Sequence, residues 1–207
     1  THDSLPNTMR IRLYIEHYWY VFLVLIVLLG GFLRFYHLTQ SPPSLNWDEV
    51  AFGYNAHAIL QTGKDEYGHT LPMYLRSLDD YKRPVYTYAV VASVALFGLT
   101  DFAVRFPSAF FGTLTILLVY LLTLELSKKK STALLAALFL SITPWHIQFS
   151  HAGFEAVIGF FLTTLGVLCS VYGVRKNPWF LLPASLAFGL SLYSYLGQRI
   201  AVPICML

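Results

Sequence analysis

The sequence predicts an all-α, polytopic integral membrane protein, and three observations support that fold class. Hydrophobic residues make up 56% of the 207-residue chain and charged residues only 12%, whereas soluble domains are about half apolar and a quarter charged. The mean hydropathy is +0.56, and several apolar runs approach the roughly 20 residues that cross a bilayer. Aromatic residues reach 16%, which suits extensive membrane–water boundaries. The net charge of only +3 gives no support for nucleic-acid binding.

The first membrane helix is predicted over residues 17–38, which read HYWYVFLVLIVLLGGFLRFYHL. Arg10 and Arg12 precede it. Because cytoplasmic flanks are enriched in Arg and Lys, the N-terminal end is predicted to be cytoplasmic.

The positions of the basic clusters decide which of the later apolar runs are predicted to span the membrane. These runs are 84–98, 103–126, 131–149, 154–174, 178–196 and the final 200–207. Run 84–98 begins at a proline and is shorter than a span, which favours an interfacial helix. Both basic clusters, SKKK (127–130) and RKN (175–177), then lie on the cytoplasmic side, as the positive-inside rule requires. We therefore expect one transmembrane domain over 1–207, with five complete spans, the start of a sixth, and a large external loop over 39–103.

The external loop is predicted to contain juxtamembrane structure. Asn46 can cap a helix that begins at the next residue, and Glu49 stands where a capping box requires it. The helix is predicted to continue to about Gln61 and to end at Gly63. The polar, aromatic segment MYLRSLDDYKR (73–83) predicts a second surface element.

Two adjacent carboxylates, Asp48 and Glu49, open this helix in the stretch NWDEVAFGYNAHAIL (46–60). Acidic residues are favoured in a first helical turn, so capping alone explains the pair. The topology adds a second interpretation, because it places Asp48 at the external water–lipid boundary. A carboxylate held there could serve as a general base.

A second external connection, SITPWHIQFSHAGFEAVIGF (141–160), carries His146, His151 and Glu155. Glu155 begins a predicted span, where capping is again the simple explanation. Ionisable residues at membrane depth are costly to place and are therefore functional candidates. Since two separate loops put carboxylates on one face, Glu155 is the predicted partner of Asp48.

Cations and tyrosines cluster on the same predicted face. The cations are Lys82 and Arg83 in DDYKRPVYTY, Arg105 in FAVRFPS and Arg199 in LYSYLGQRIAVP. Arg and Lys are natural partners of phosphate, although anchoring at the interface explains each one separately. As a cluster that faces the acids, they predict a phosphate site.

Four motifs follow the first span in a fixed order: WDEVAFGYNAHAIL, YKRPVYTYAVVASVALFG, LTDFAVRFPSAFFGTLTILLVYLL and TPWHIQFSHAGFEA. Their order resembles the GT-C superfamily of lipid-carrier-dependent glycosyltransferases, and RFPSAFFGTLT is the most specific part. The resemblance covers residues 18–200. It is strongest to the bacterial branch related to protein O-mannosyltransferases and aminoarabinose transferases, of whose fold this chain matches the N-terminal half or less.

The resemblance implies a reaction and residue roles. A sugar would move, with inversion, from polyprenyl phosphate to an acceptor hydroxyl on a protein, lipid or glycan, at the periplasmic face of a bacterial inner membrane. Asp48 matches the catalytic acid and Glu155 the second acid. Glu155, with Glu49, His146 and His151, would orient the acceptor or hold a metal.

The chain departs from the family pattern at two positions. His151 stands where an Arg is common, and Lys82 stands where related enzymes have an acid, for which Asp79 or Asp80 are the candidate substitutes. A divalent metal, Mg²⁺ or Mn²⁺, is therefore left open, with Asp48 and Glu155 as its candidate ligands.

Two other functions stay open at this stage. A transporter or flippase also uses membrane acids, but those acids usually lie near the midplane of repeated halves. The chain also stops within the apolar run 200–207, which favours a truncated and inactive fragment. No motif specifies the sugar, the acceptor or the oligomeric state.

Overall fold

A computed structural model of the chain describes residues 7–77 and 80–206, with side chains from residue 17 onward. Within these residues the chain forms helices and one small hairpin. The helices are α1 (Asn7–Phe35), α2 (Trp47–Thr62), α3 (Pro84–Phe97), α4 (Asp101–Ser127), α5 (Lys130–Ile142), α6 (Pro144–His151), α7 (Glu155–Arg175), α8 (Leu181–Leu192) and α9 (Gln198–Met206). A 3₁₀ turn, Pro178–Phe180, precedes α8.

Three helical segments in the described part of the chain are long and apolar enough to cross a membrane: His17–Phe35, Asp101–Ser127 and Glu155–Arg175. A fourth is formed if α5 and α6, which meet at a 54° bend, count as one broken span. The predicted fold class, an all-α polytopic membrane protein, is confirmed. In the described residues these make three or four candidate spans, and run 178–196 forms a shorter apolar helix, so the predicted count of five is not confirmed.

The predicted short helix of the external loop is α3, with 14 residues. At 1.5 Å per residue it is about 21 Å long, which is less than the roughly 30 Å hydrocarbon core of a bilayer. Its length therefore agrees with the prediction that run 84–98 does not span.

The α2 helix begins and ends as its sequence predicts. The Asn46 side chain accepts the Glu49 backbone N–H at 2.9 Å, and the Glu49 carboxylate accepts the Asn46 N–H at 2.8 Å. Gly63 ends the helix with φ +70°, a left-handed conformation that glycine adopts without strain. These contacts confirm the predicted capping box.

The surface segment 73–83 contains a hairpin that its sequence did not indicate. Strands β1 (Leu75–Ser77) and β2 (Asp80–Lys82) pair antiparallel. Leu75 and Ser77 are buried while the residue between them is exposed, which is the alternation expected of a strand. The hairpin brings Lys82 toward the start of α2, where it meets Asp48.

Run 131–149 is broken between α5 and α6 at Pro144. Proline lacks the N–H that would continue the helix, so carbonyl groups at the end of α5 lose their helical donors. The fully buried Arg34 of α1 supplies replacements, donating to the Leu140 and Ser141 carbonyls at 3.1 Å each. Arg34 thus fastens α1 to the end of α5 and supports the bend.

A buried cluster holds the loop helices against the membrane helices. Phe52 of α2 and Tyr86 and Val90 of α3 pack with Val104 of α4 and Ile158 of α7. Burial of such side chains contributes roughly 1.5–3 kcal/mol each. Segment 39–103 is therefore part of the packed core, which fixes the position of α2.

The acidic and basic loops lie at opposite ends of α4. Near its beginning, Arg105 contacts Glu49. Near its other end, about 30 Å away at 1.5 Å per residue, Glu125 pairs with Lys128 and Lys176. This separation matches the prediction that carboxylate and basic clusters face opposite sides.

Candidate active site

The centre of the site is a fully buried ion pair between Glu49 and Arg105. Arg105 Nε donates to Glu49 Oε1 at 2.7 Å, and Nη2 donates to Oε2 at 3.3 Å. The remaining guanidinium donors reach the carbonyls of Leu38, Pro42 and Ser44 at 2.8–2.9 Å. All five N–H donors of the arginine are therefore used.

This pair gives both residues a structural role. Arg105 donates hydrogen bonds to carbonyl groups of the segment that links α1 to α2, so it fixes the position of that segment. The structure thus corrects the prediction that Arg105 binds phosphate, because no donor remains for a ligand. It likewise leaves Glu49 no free lone pair for an acceptor or metal, since its carboxylate also receives the N–H groups of Asn46 and Gly153.

Gly153, in the turn between α6 and α7, joins the second external connection to this pair. Its N–H donates to Glu49 Oε1 at 2.8 Å. A Cβ at this position would lie 3.1 Å from both Glu49 Cγ and the Tyr86 hydroxyl, which is closer than ordinary van der Waals contact. The close approach of the two loops therefore requires glycine here.

The Gly153→Ala variant is expected to be destabilised by about 1–3 kcal/mol, the usual cost of adding a methyl group to a packed site. Thermal unfolding of the purified protein in detergent would measure this. Gly31→Ala is the matched control, because its Cβ meets only Thr113 at 3.4 Å. Equal unfolding temperatures for the two variants would contradict the proposed close contact.

Asp48 lies beside the buried pair but faces outward, with its side chain 33% exposed. Lys82 Nζ donates to Asp48 Oδ1 at 2.5 Å and to Asp80 Oδ2 at 2.7 Å. Of the two candidate substitutes, Asp80 contacts Lys82, while Asp79 lies outside the described residues. Asp48 keeps its second oxygen free among the described residues, which a proton acceptor needs.

The ammonium group of Lys82 stays charged between these carboxylates. Burial opposes the charge, but the hydrogen bonds to Asp48 and Asp80 outweigh it, so the pKa of Lys82 lies above its ordinary value. The hydrogen bond from Lys82 holds the pKa of Asp80 below its ordinary value. A fixed cation thus stands next to Asp48.

Glu155 occupies the first position of α7 and is partly buried. It lies close enough to Asp48 and Lys82 for their charges to act on it. No hydrogen bond to its carboxylate occurs among residues 7–77 and 80–206. The structure thus brings the two predicted acids into one region and leaves both of them available.

The two histidines contact α1 rather than the acids. His146 is buried, and its Nδ1 lies 2.9 Å from Arg34 Nη2. His151 Nε2 lies 2.9 Å from the Leu33 carbonyl oxygen. Both side chains hold α6 against α1, so the expectation that they bind an acceptor or a metal is not supported by their contacts.

The described side chains around Asp48 give no support for the candidate metal site at Asp48 and Glu155. In the described part of the chain, no group of three or more His, Cys, Asp or Glu side chains is placed to hold an ion. The Lys82 ammonium occupies the position beside Asp48 where a cation would bind.

The other two predicted cations, Arg83 and Arg199, have no carboxylate partner in the described part of the chain. The Arg83 guanidinium lies over the Tyr74 ring, 5.6 Å from its centroid. Arg199 Nη2 is 3.4 Å from the Tyr74 hydroxyl oxygen. Tyr74 was not predicted as a site residue, since only the fold places it between two arginines distant in sequence.

The chain matches a protein-family model and individual known proteins. The model of the family "Dolichyl-phosphate-mannose-protein mannosyltransferase" matches residues 24–194. An "Undecaprenyl phosphate-alpha-4-amino-4-deoxy-L-arabinose arabinosyl transferase" from Erwinia tasmaniensis is 29% identical over 190 residues, which are 86% of this chain and 33% of that protein. An uncharacterized protein from Aquifex aeolicus is 29% identical over 170 residues, 82% of this chain and 33% of its own length. The chain spans about a third of these relatives, and no solved structure matches it significantly.

Proposed function

The chain belongs to the dolichyl-phosphate-mannose-protein mannosyltransferase family, and from that premise we propose that it serves a membrane glycosyltransferase of the GT-C type. The proposed reaction moves a sugar from a polyprenyl-phosphate donor to an acceptor hydroxyl. The observation that carries the proposal is the different burial of the two neighbouring acids, Asp48 and Glu49. Glu49 is fully buried in the core, whereas the Asp48 side chain is one-third exposed beside a fixed cation.

Asp48 acts as the general base. Its free oxygen takes the proton of the acceptor hydroxyl while that oxygen attacks the anomeric carbon of the sugar. The bond between the anomeric carbon and the phosphate oxygen breaks, and polyprenyl phosphate leaves with the bonding electrons. One displacement inverts the configuration. Asp80 keeps Lys82 in place when Asp48 becomes neutral.

The leaving phosphate is stabilised by nearby positive charge, because fixed cations lower the energy of the charge that develops on it. Arg83 and Arg199 are the candidates for this role, and Lys82 lies beside Arg83 but is paired with Asp48 and Asp80. Arg105 is excluded from it because Glu49 and the three carbonyls use all its donors.

Glu155 orients the acceptor, and Glu155→Gln is expected to lower transfer about 100-fold, the scale on which misplacing a reactant acts. Its fold is expected to survive, because the carboxylate accepts no hydrogen bond within the described residues. Initial rates at saturating donor, with unfolding temperature as the control, would measure both effects. Sugar transfer by Glu155→Gln at the wild-type rate would refute the role of Glu155 in orienting the acceptor.

An assay of the intact protein in bacterial inner-membrane vesicles tests the proposed function. The donor is polyprenyl phosphate carrying a radiolabelled sugar, and acceptors of protein, lipid and glycan type are compared. We expect label on one acceptor class, on the periplasmic face. Label that crosses the membrane while still attached to its carrier would instead identify a flippase, and label that neither moves nor transfers would refute the proposal.

A further inference from the structure

The motif RFPSAFFGTLT places two polar side chains on one face of α4. Arg105 and Ser108 are three residues apart, a spacing at which helical side chains lie on the same side. Both side chains are fully buried. The ion pair with Glu49 accounts for Arg105, whereas the chemistry proposed above gives Ser108 no role. The contacts of Ser108 lead to the turn between α6 and α7.

The Ser108 hydroxyl joins three helices. Its Oγ lies 3.0 Å from the Tyr86 hydroxyl oxygen and 3.2 Å from the Phe154 carbonyl oxygen, and it donates toward both. The Tyr86 hydroxyl donates to the Val104 carbonyl at 2.9 Å, which leaves its oxygen as an acceptor for Ser108. Since Tyr86 is also fully buried, Ser108 is fixed by α3 while it holds the start of α7.

The Phe154 carbonyl is the group through which Ser108 reaches Glu155. This carbonyl and the Glu155 backbone N–H belong to one planar peptide unit, so holding the first orients the second. One residue earlier, the Gly153 N–H donates to Glu49 Oε1 at 2.8 Å. The backbone that carries Glu155 is therefore held at two successive residues, by side chains of α2 and α4.

We propose that Ser108, held in place by Tyr86, is a positioning residue that directs the Glu155 carboxylate toward the acceptor. Among the described residues no hydrogen bond reaches this carboxylate, so its direction depends on the backbone that Ser108 holds. The role in orienting the acceptor rests on the proposed function, whereas the link from Ser108 to Glu155 rests on the contacts above. The efficiency with which acceptor is used therefore depends on Ser108, and donor binding does not.

Kinetics of the Ser108→Ala variant test this role. Because misplacing a reactant slightly costs up to about 100-fold, kcat/KM for the acceptor is expected to fall about tenfold. The KM for the polyprenyl-phosphate sugar donor is expected to stay unchanged. Thr115→Val is the matched control, since Thr115 is also fully buried on α4 and its hydroxyl donates to the Phe111 carbonyl of the same helix at 2.7 Å. This control is expected to transfer sugar as the wild type does.

A double-mutant cycle separates positioning from a general effect on the fold. In the Glu155→Gln background, Ser108→Ala is expected to cause no further loss of transfer, because both changes act through one side chain. Tyr86→Phe, which removes only the hydroxyl that holds Ser108, is expected to show the same pattern with a smaller loss. Losses that multiply in the double variant, or a donor KM that rises with the loss, would overturn the proposal.

Amide hydrogen exchange of the purified intact protein gives a readout that needs no transfer. The Val157 N–H donates to the Phe154 carbonyl at 3.3 Å, so it reports on the peptide that Ser108 holds. Its exchange is expected to be about tenfold faster in Ser108→Ala, the effect of losing one hydrogen bond, and unchanged in Thr115→Val. Unchanged exchange in Ser108→Ala would overturn the proposal. Faster exchange in a protein whose wild type transfers no sugar would refute the proposed function alone and leave the link from Ser108 to Glu155 standing.

Discussion

The Asp48→Asn variant is expected to lose sugar transfer while it keeps its fold. Removing a general base lowers rates by about 10²–10⁴-fold, and asparagine cannot accept the acceptor proton. The fold should survive because Asp48 is one-third exposed and contacts Lys82, which keeps its second partner Asp80. The measurement is the transfer rate of the intact protein, with its unfolding temperature recorded alongside.

Asp101→Asn is the matched control for this prediction. Asp101 is also an acid in the first turn of a helix and is exposed, but it contributes nothing to the region of Asp48. Transfer by Asp101→Asn should stay within twofold of the wild type. If Asp48→Asn were as active as this control, Asp48 would not be the base.

Replacing the neighbouring Glu49 with Gln is expected to give the opposite result, a loss of folded protein. The substitution leaves the Arg105 charge buried without its partner, and breaking a buried ion pair in this way costs about 3–5 kcal/mol. The loss should appear as a lower unfolding temperature and a lower yield of monodisperse protein in detergent. Glu66→Gln is the control, since Glu66 is exposed and contacts the Asn55 side chain.

A double-mutant cycle separates the pair from its surroundings. Arg105→Gln should be about as costly as Glu49→Gln, and the two losses should not add in the double variant, because they remove one shared interaction. Additive losses would mean that Glu49 and Arg105 act independently, contrary to their 2.7 Å contact.

Helix geometry explains why Glu49 is buried while its neighbour Asp48 stays partly exposed. Neighbouring residues on an α-helix point about 100° apart, at 3.6 residues per turn. When α2 packs its buried face against α3 and α4, Glu49 turns toward Arg105 and Asp48 remains at the edge. The sequence indicates that both acids open a helix, but the direction of each depends on the packing partner.

Signals that act over a few residues predict the local structure correctly. The capping box at Asn46, the end of α2 at Gly63 and the short helix after Arg83 all depend on neighbouring residues. The sequence pattern does not predict the hairpin at 75–82, because strands of three residues are too short to show a periodic pattern. The bend at Pro144 was also missed, although a proline inside an apolar run is a known signal for a break.

Site prediction was limited by contacts between distant residues. The sequence places four cations in one predicted phosphate site. In the structure, Arg105 forms an ion pair with Glu49, and Lys82 forms ion pairs with both Asp48 and Asp80. It also grouped His146 and His151 with the acids, whereas both contact α1. Composition and motif order cannot distinguish a free cation from a neutralised one.

The sequence by itself determined the membrane class, the family and the capped helix that carries the acids, because hydropathy, motif order and capping depend on composition and nearby residues. Only the tertiary structure decided which acid and which cations are available for chemistry. The physical reason is that availability depends on burial and pairing, and Glu49 is buried by Arg105 and Gly153, which lie 56 and 104 residues away along the chain.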